Sequence, residues 1–206
     1  MIEQKEKSNI QDIKSRYILQ KIFSFLDKKE KLKIVIYNKN LQNKIEVNND
    51  NYKKASGKYR KGKRNGKGKE YNLYSNKLLF KGQYLNGKRN GKGKEYSIYP
   101  NKLLFKGHYL NGEKNGKGKE YGYKSIIVFK GEYLNGKKNG KGKEYSDYSG
   151  KLKFEGEYSN GERNGNGKEY NVDGTLIIFE GEYLNGKRNG KGKEYDCKGN
   201  LIFDGN

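Results

Sequence analysis

From residue 57 onward the chain repeats itself, and this regular period is the strongest constraint on its fold. One unit reads Phe80-Lys-Gly82-Gln-Tyr84-Leu-Asn-Gly87-Lys-Arg-Asn-Gly91-Lys-Gly93-Lys-Glu-Tyr96. Its first glycine recurs at Gly57, Gly82, Gly107, Gly131, Gly156, Gly181 and Gly205, at spacings of 25, 25, 24, 25, 25 and 24 residues. Six units are complete, and the seventh stops at Phe203-Asp204-Gly205-Asn206. A unit this short cannot bury an apolar face alone and must stack on its neighbours.

Within the unit, Phe80, Gly82 and Tyr84 alternate with Lys81, Gln83 and Leu85, the period of a strand. Asn86-Gly87 and Asn90-Gly91 bracket a turn, and Asn-Gly is the strongest short hairpin signal. Gly91 to Tyr96 is the expected return strand, and Ser97 to Lys102, which holds Pro100, a second, more variable turn. The expected fold class is mainly β: a single-layer antiparallel sheet of tandem hairpins, about thirteen strands and ~60 Å long at ~4.8 Å per strand.

Glycine weakens a strand unless something packs close to the backbone. Pairing Tyr84 with Gly91 and Gly82 with Gly93 across the hairpin would lay each ring over bare backbone. Successive units would then stack their rings along one face. Tyr84, Tyr109, Tyr133, Tyr158 and Tyr183 read first as core, with rings at the open edge of the row as candidate partner contacts. Composition supports an ordered fold only through these aromatics. The mean hydropathy is −1.23 and 34% of residues are charged, which favours disorder, but the chain holds 19 Tyr and 8 Phe.

The pattern resembles the MORN repeat, whose motif runs Tyr-x-Gly-x-Trp/Tyr-x-x-Gly-x-x-x-Gly-x-Gly, over residues 57–206. Two departures stand out. The first aromatic is Phe (Phe80, Phe105, Phe129, Phe154, Phe179), and the usual Trp is Tyr throughout. The resemblance implies a scaffold that holds assemblies near membranes, sometimes as a dimer through terminal repeats. It does not carry a ligand with it. The unfinished seventh unit leaves a sheet edge suited to homodimer pairing.

No glycine precedes Gly57, so a domain boundary is expected there. Residues 1–47 are expected to form a small helical module and 48–56 a polar linker. Ile18, Leu19, Ile22, Phe23 and Leu26 fall on one helical face. Asp27 with Glu30 resembles a capping box for a second helix. The string Ile22-Phe-Ser-Phe-Leu-Asp27 is similar to the F-box, which implies binding to a Skp-type linker of cullin ubiquitin ligases and a substrate-adaptor role. The Leu-Pro opening and closing Trp of that motif are absent, and a helical cap over the first sheet edge is the alternative.

Catalytic chemistry finds little footing. A P-loop needs four residues between its glycines and Ser/Thr after the lysine. Gly87-Lys-Arg-Asn-Gly91-Lys92-Gly93 has three and a glycine. The single His108 and single Cys197 lie in different units, so neither a Cys/His pair nor a zinc cluster is expected. Glu70, Glu95, Glu120, Glu144, Glu169 and Glu194 share one repeated position, which marks a structural or solvated role. The chain is expected to be a non-enzyme without cofactors. The lone cysteine and the charged first eight residues suggest a cytoplasmic protein, peripheral to a membrane at most.

Charge is the last signal. The chain carries a net +22, distributed as 13 basic and 7 acidic groups over 1–56 (+6), 20 and 4 over 57–130 (+16), and 13 and 13 over 131–206 (0). On the face away from the aromatics, Lys67, Lys69, Lys81, Lys92, Lys94, Lys106, Lys117 and Lys119 should form a positive strip, whereas later units pair Lys with Glu. Such a strip would dock an acidic protein or an anionic membrane surface at ~1 kcal/mol per lysine. Nucleic acid ranks lower, because the rings are expected to pack inward.

Overall fold

The computed structural model of the chain describes residues 57–206 apart from Tyr123, together with Ile18 and Lys21. Ile18 and Lys21 are helical and exposed; Leu19, Ile22, Phe23 and Leu26, the rest of the 1–47 module and the 48–56 linker lie outside the described residues. The compact unit of interest comprises Arg60–Tyr71 and Ser75–Asn206.

Among the described residues, thirteen strands follow one another in chain order. They are β1 (Lys58–Gly62), β2 (Gly66–Asn72), β3 (Leu78–Leu85), β4 (Lys88–Tyr96), β5 (Leu103–Leu110), β6 (Glu113–Tyr121), β7 (Ile127–Leu134), β8 (Lys137–Tyr145), β9 (Leu152–Ser159), β10 (Glu162–Tyr170), β11 (Ile177–Leu184), β12 (Lys187–Tyr195) and β13 (Leu201–Gly205). Each is hydrogen-bonded to its sequence neighbours, giving one open antiparallel sheet. This is the sheet expected from the repeat.

The hairpin register differs from the expected one. Asn86-Gly87 alone makes the tight turn, with φ of 50° and 81°. Positive φ at both central residues is the type I′ geometry that matches strand twist. Leu85 therefore opposes Lys88 and Tyr84 opposes Arg89, while Gly82 opposes Gly93 as anticipated. Asn90-Gly91 lies inside β4, where the register shifts as a bulge. Gly91, at φ 86°, takes a conformation that a side chain would strain. The Lys92 amide there donates to Gln83 Oε1 at 2.9 Å. The Tyr–Gly pairing proposed within a hairpin occurs between hairpins instead: Gly91 opposes Tyr109 and Gly66 opposes Tyr84.

Among the described residues, the core is a row of ten rings on one face of the sheet. Phe80 and Phe154 are fully buried, and Tyr84, Tyr109, Tyr133, Tyr158 and Tyr183 are 3–4% exposed. Phe80 meets Tyr84 at 5.6 Å and the next unit's Tyr109 at 5.1 Å, both edge to face. The same zigzag runs to Phe179. A Cβ on Gly82 would stand 2.6 Å from Phe80 Cζ, and one on Gly93 would strike the same ring from the facing strand. The glycines are thus gaps that admit a ring against the backbone. Backbone bonds also stitch the units together: Gly87 N–H donates to Arg64 O and Gly112 N–H to Arg89 O, each at 2.9 Å.

Candidate functional site

The two faces of the sheet are chemically distinct. On the ring face, a charged layer covers the aromatics. Arg89 lies 4.1 Å above the Phe80 ring and bridges Glu70 at 2.7 Å and Glu95 at 2.5 Å. Arg163 does the same between Glu144 at 2.6 Å and Glu169 at 3.0 Å, above Phe154. Lys114 and Lys138 occupy the equivalent places over Phe105 and Phe129, each with a single ion pair, to Glu120 and Glu144. The repeated glutamates are structural lids. Sequence reasoning identified their structural character and missed their partners, although the signal was present: a basic residue at 89, 114, 138, 163 and 188 in every hairpin.

This layer perturbs its members. Burial, then the charge of the nearby Glu70 carboxylate that accepts its hydroxyl at 2.8 Å, pushes the Tyr84 phenol far above its ordinary value. Tyr109, Tyr133, Tyr158 and Tyr183 are raised likewise, each by burial first and then by Glu95, Glu120, Glu144 or Glu169. Their hydroxyls face these carboxylates without closing a hydrogen bond. Burial works against ionisation of Glu144, yet Arg163 and Lys138 hold its carboxyl below the usual range. Glu169 is lowered in the same way by Arg188, against its own burial. The five tyrosines are therefore sealed under the ion-pair layer, which is the core reading of them and not the exposed row of partner contacts that was its alternative.

The other face is an open trough of about 1840 Å³ with glycine backbone in its floor. All eight lysines of the predicted strip line it, seven exposed and Lys119 half-buried. The cross-strand register turns them into a ladder. Lys69, Lys81, Lys94, Lys106, Lys119, Lys130 and Lys143 stand opposite one another in succession on β2 to β8. At ~4.8 Å per strand, seven rungs of like charge extend ~29 Å. The row then continues as Glu155, Lys168, Glu180, Lys193 and Asp204. There Lys143 pairs with Glu155 at 2.5 Å, Lys168 with Glu180 at 3.1 Å and Lys193 with Asp204 at 3.8 Å.

Lys67, Lys92 and Lys117 form a second row beside the first. The bulge changes their opposing residues: Lys67 faces Gln83, Lys92 faces His108 and Lys117 faces Glu132, each across a hairpin-to-hairpin boundary. Within each hairpin an unbroken alternation would set Gln83 opposite Lys92, His108 opposite Lys117, Glu132 opposite Lys141 and Glu182 opposite Lys191; the bulge takes all four pairs out of register, and Gln83 instead accepts the Lys92 amide. Among the described residues no three His, Cys, Asp or Glu side chains are placed to hold a metal, and Cys197 is exposed.

Comparison with solved structures returns TarM, 11% identical over 65% of this chain at a TM-score of 0.33, and a variant of S. aureus TarM, 11% identical over 66% at 0.35. The matched region spans 27% of either TarM chain, and likeness at this level bears no weight for function. No curated protein matches the sequence. The MORN repeat model matches residues 56–71, 80–97, 105–124, 129–149, 154–176 and 179–201. With its hairpin units, stacked aromatics and glycine gaps falling within those six matches, the chain belongs to the MORN repeat family.

Proposed function

We propose that the chain is a non-catalytic scaffold that binds a protein partner through the charged trough of its sheet. MORN repeats are generally protein- and membrane-interaction modules. The observation that supports the trough in particular is the seven-rung lysine ladder: like charges set directly opposite cost stability, and an acidic partner relieves that repulsion. The ring face, by contrast, already spends its contacts on its own packing. Affinity capture with the full chain, compared with Lys94→Glu/Lys106→Glu, tests this. Specific partners that are lost with the double variant and released by raised salt are the expected result. Partners retained by the variant would count against the trough.

A second reading is docking to an anionic membrane, favoured by the same ladder, since four to six engaged lysines at ~1 kcal/mol each give weak, salt-sensitive attachment. Co-sedimentation with phosphatidylserine vesicles at low salt should be visible if it holds. The trough, recessed to a glycine floor, is better matched to a chain that can enter it than to a planar bilayer.

A further inference from the structure

The second half of the trough contains a repeated carboxylate site built from the protein's own residues. The Glu155 carboxylate accepts the Tyr170 hydroxyl at 2.6 Å and pairs with Lys143 at 2.5 Å. Glu180 accepts the Tyr195 hydroxyl at 2.8 Å and pairs with Lys168 at 3.1 Å. In both, a tyrosine 15 residues downstream and a lysine on the preceding strand converge on one carboxylate.

In the first half the same scaffold lacks the carboxylate. Lys81, Lys106 and Lys130 occupy the positions of Glu155 and Glu180, with Tyr96, Tyr121 and Tyr145 at the matching downstream positions. The backbone register is the same, with Glu95 opposite Phe80 as Glu169 is opposite Phe154. No hydrogen bond is made by these three hydroxyls, and no ion pair by these three lysines, among the described residues. Each unit thus presents phenol and ammonium donors without an acceptor.

We infer that this half of the trough binds an acidic polypeptide segment, whose Asp and Glu carboxylates take hydrogen bonds from Tyr96, Tyr121 and Tyr145 while the lysines neutralise them. The inference rests on the proposed trough function and assigns its ligand chemistry. A carboxylate is the anion this scaffold already holds in its second half. Equivalent positions lie two strands apart, ~9.6 Å, which matches the three-residue turn of a polyproline II chain at ~3.1 Å per residue, so that every third side chain meets the trough. Residues 1–56 are themselves basic at +6, so charge complementarity points to an acidic segment of another protein.

The test is fluorescence anisotropy of the full-length protein with a labelled oligoglutamate peptide at low salt. Tyr96→Phe/Tyr121→Phe/Tyr145→Phe removes only hydroxyls and should weaken binding about ten-fold or more, since hydrogen bonds to charged groups are strong. Tyr170→Phe/Tyr195→Phe should leave affinity unchanged, because those hydroxyls already serve internal glutamates. Wild-type affinity in the triple variant would overturn the inference, as would failure of the wild type to bind oligoglutamate. Tighter binding to an oligothymidylate or to phosphatidylserine vesicles would overturn it too. Loss of binding in Lys81→Gln/Lys106→Gln/Lys130→Gln alone, with the phenylalanine variant intact, would retain a basic binding face and reject the carboxylate site. Near-ultraviolet circular dichroism checks that each variant is folded.

Discussion

A missing methyl group sets the tolerance of this fold. Phe80 lies against Gly82 and Gly93, and no Cβ fits beneath it. Gly93→Ala should cost about 1–3 kcal/mol through overpacking, read as a lower urea midpoint. Above the ring, the planar fork of Arg89 spans two glutamates where Lys114 reaches one. Lys114→Arg should therefore stabilise by about 0.5–1 kcal/mol in the same measurement. Acid should act through this layer. The Glu144 and Glu169 carboxyls are held below their ordinary value in the folded chain. Their contribution is present above the unfolded carboxyl pKa and is lost as pH falls through the lower, folded one. Thermal scans from pH 7 to pH 3 should show the midpoint dropping below about pH 4.3. Glu144→Gln should start lower and lose less on acidification.

In each hairpin, a tight turn and a bulge together set the register. The Asn-Gly turn sets the first two pairs, and the bulge at Gly91 and its equivalents restores the Gly–Gly pairing beneath the ring. A side chain from the facing strand supports two of the bulges: Gln83 accepts the Lys92 amide at 2.9 Å, and Glu157 accepts the Asn166 amide at 3.2 Å. Glu157→Ala should accelerate hydrogen exchange at the Asn166 amide while leaving the Gly156–Gly167 pair protected. The bulge was the element least legible in the sequence. Asn90-Gly91 looks like a second turn signal, and only the competition between two adjacent Asn-Gly pairs for one reversal shows which of them stays in the strand. The period-two alternation of Phe80, Gly82 and Tyr84 was legible because that segment is regular.

At the scale of the whole sheet, stability and charge pull in opposite directions across the two halves. The second half alternates Lys with Glu or Asp along the trough, whereas the first half stacks lysines. Lys81→Glu/Lys106→Glu/Lys130→Glu would extend the alternation and supply acceptors for Tyr96, Tyr121 and Tyr145. It should stabilise the protein by about 1–3 kcal/mol at low salt, with the gain shrinking in 1 M salt, and abolish binding of acidic ligands. Urea unfolding at the two salt concentrations measures it; unchanged stability at low salt would show that the ladder carries little repulsion.

The repeat, the strand periodicity and the segregation of charge are local or periodic properties, so residue order alone determined that this chain is a β-hairpin array with one basic half. It also placed the eight lysines of the expected strip on one face, because side chains alternate along a strand. Which tyrosines are sealed under the ion-pair layer and which donate to the trough glutamates was decided only by tertiary structure. That outcome depends on a bulge that shifts the pairing, and on arginines and lysines folding back over rings from a neighbouring strand. Contacts of that kind join residues on different strands, and a period read along the chain does not reveal them.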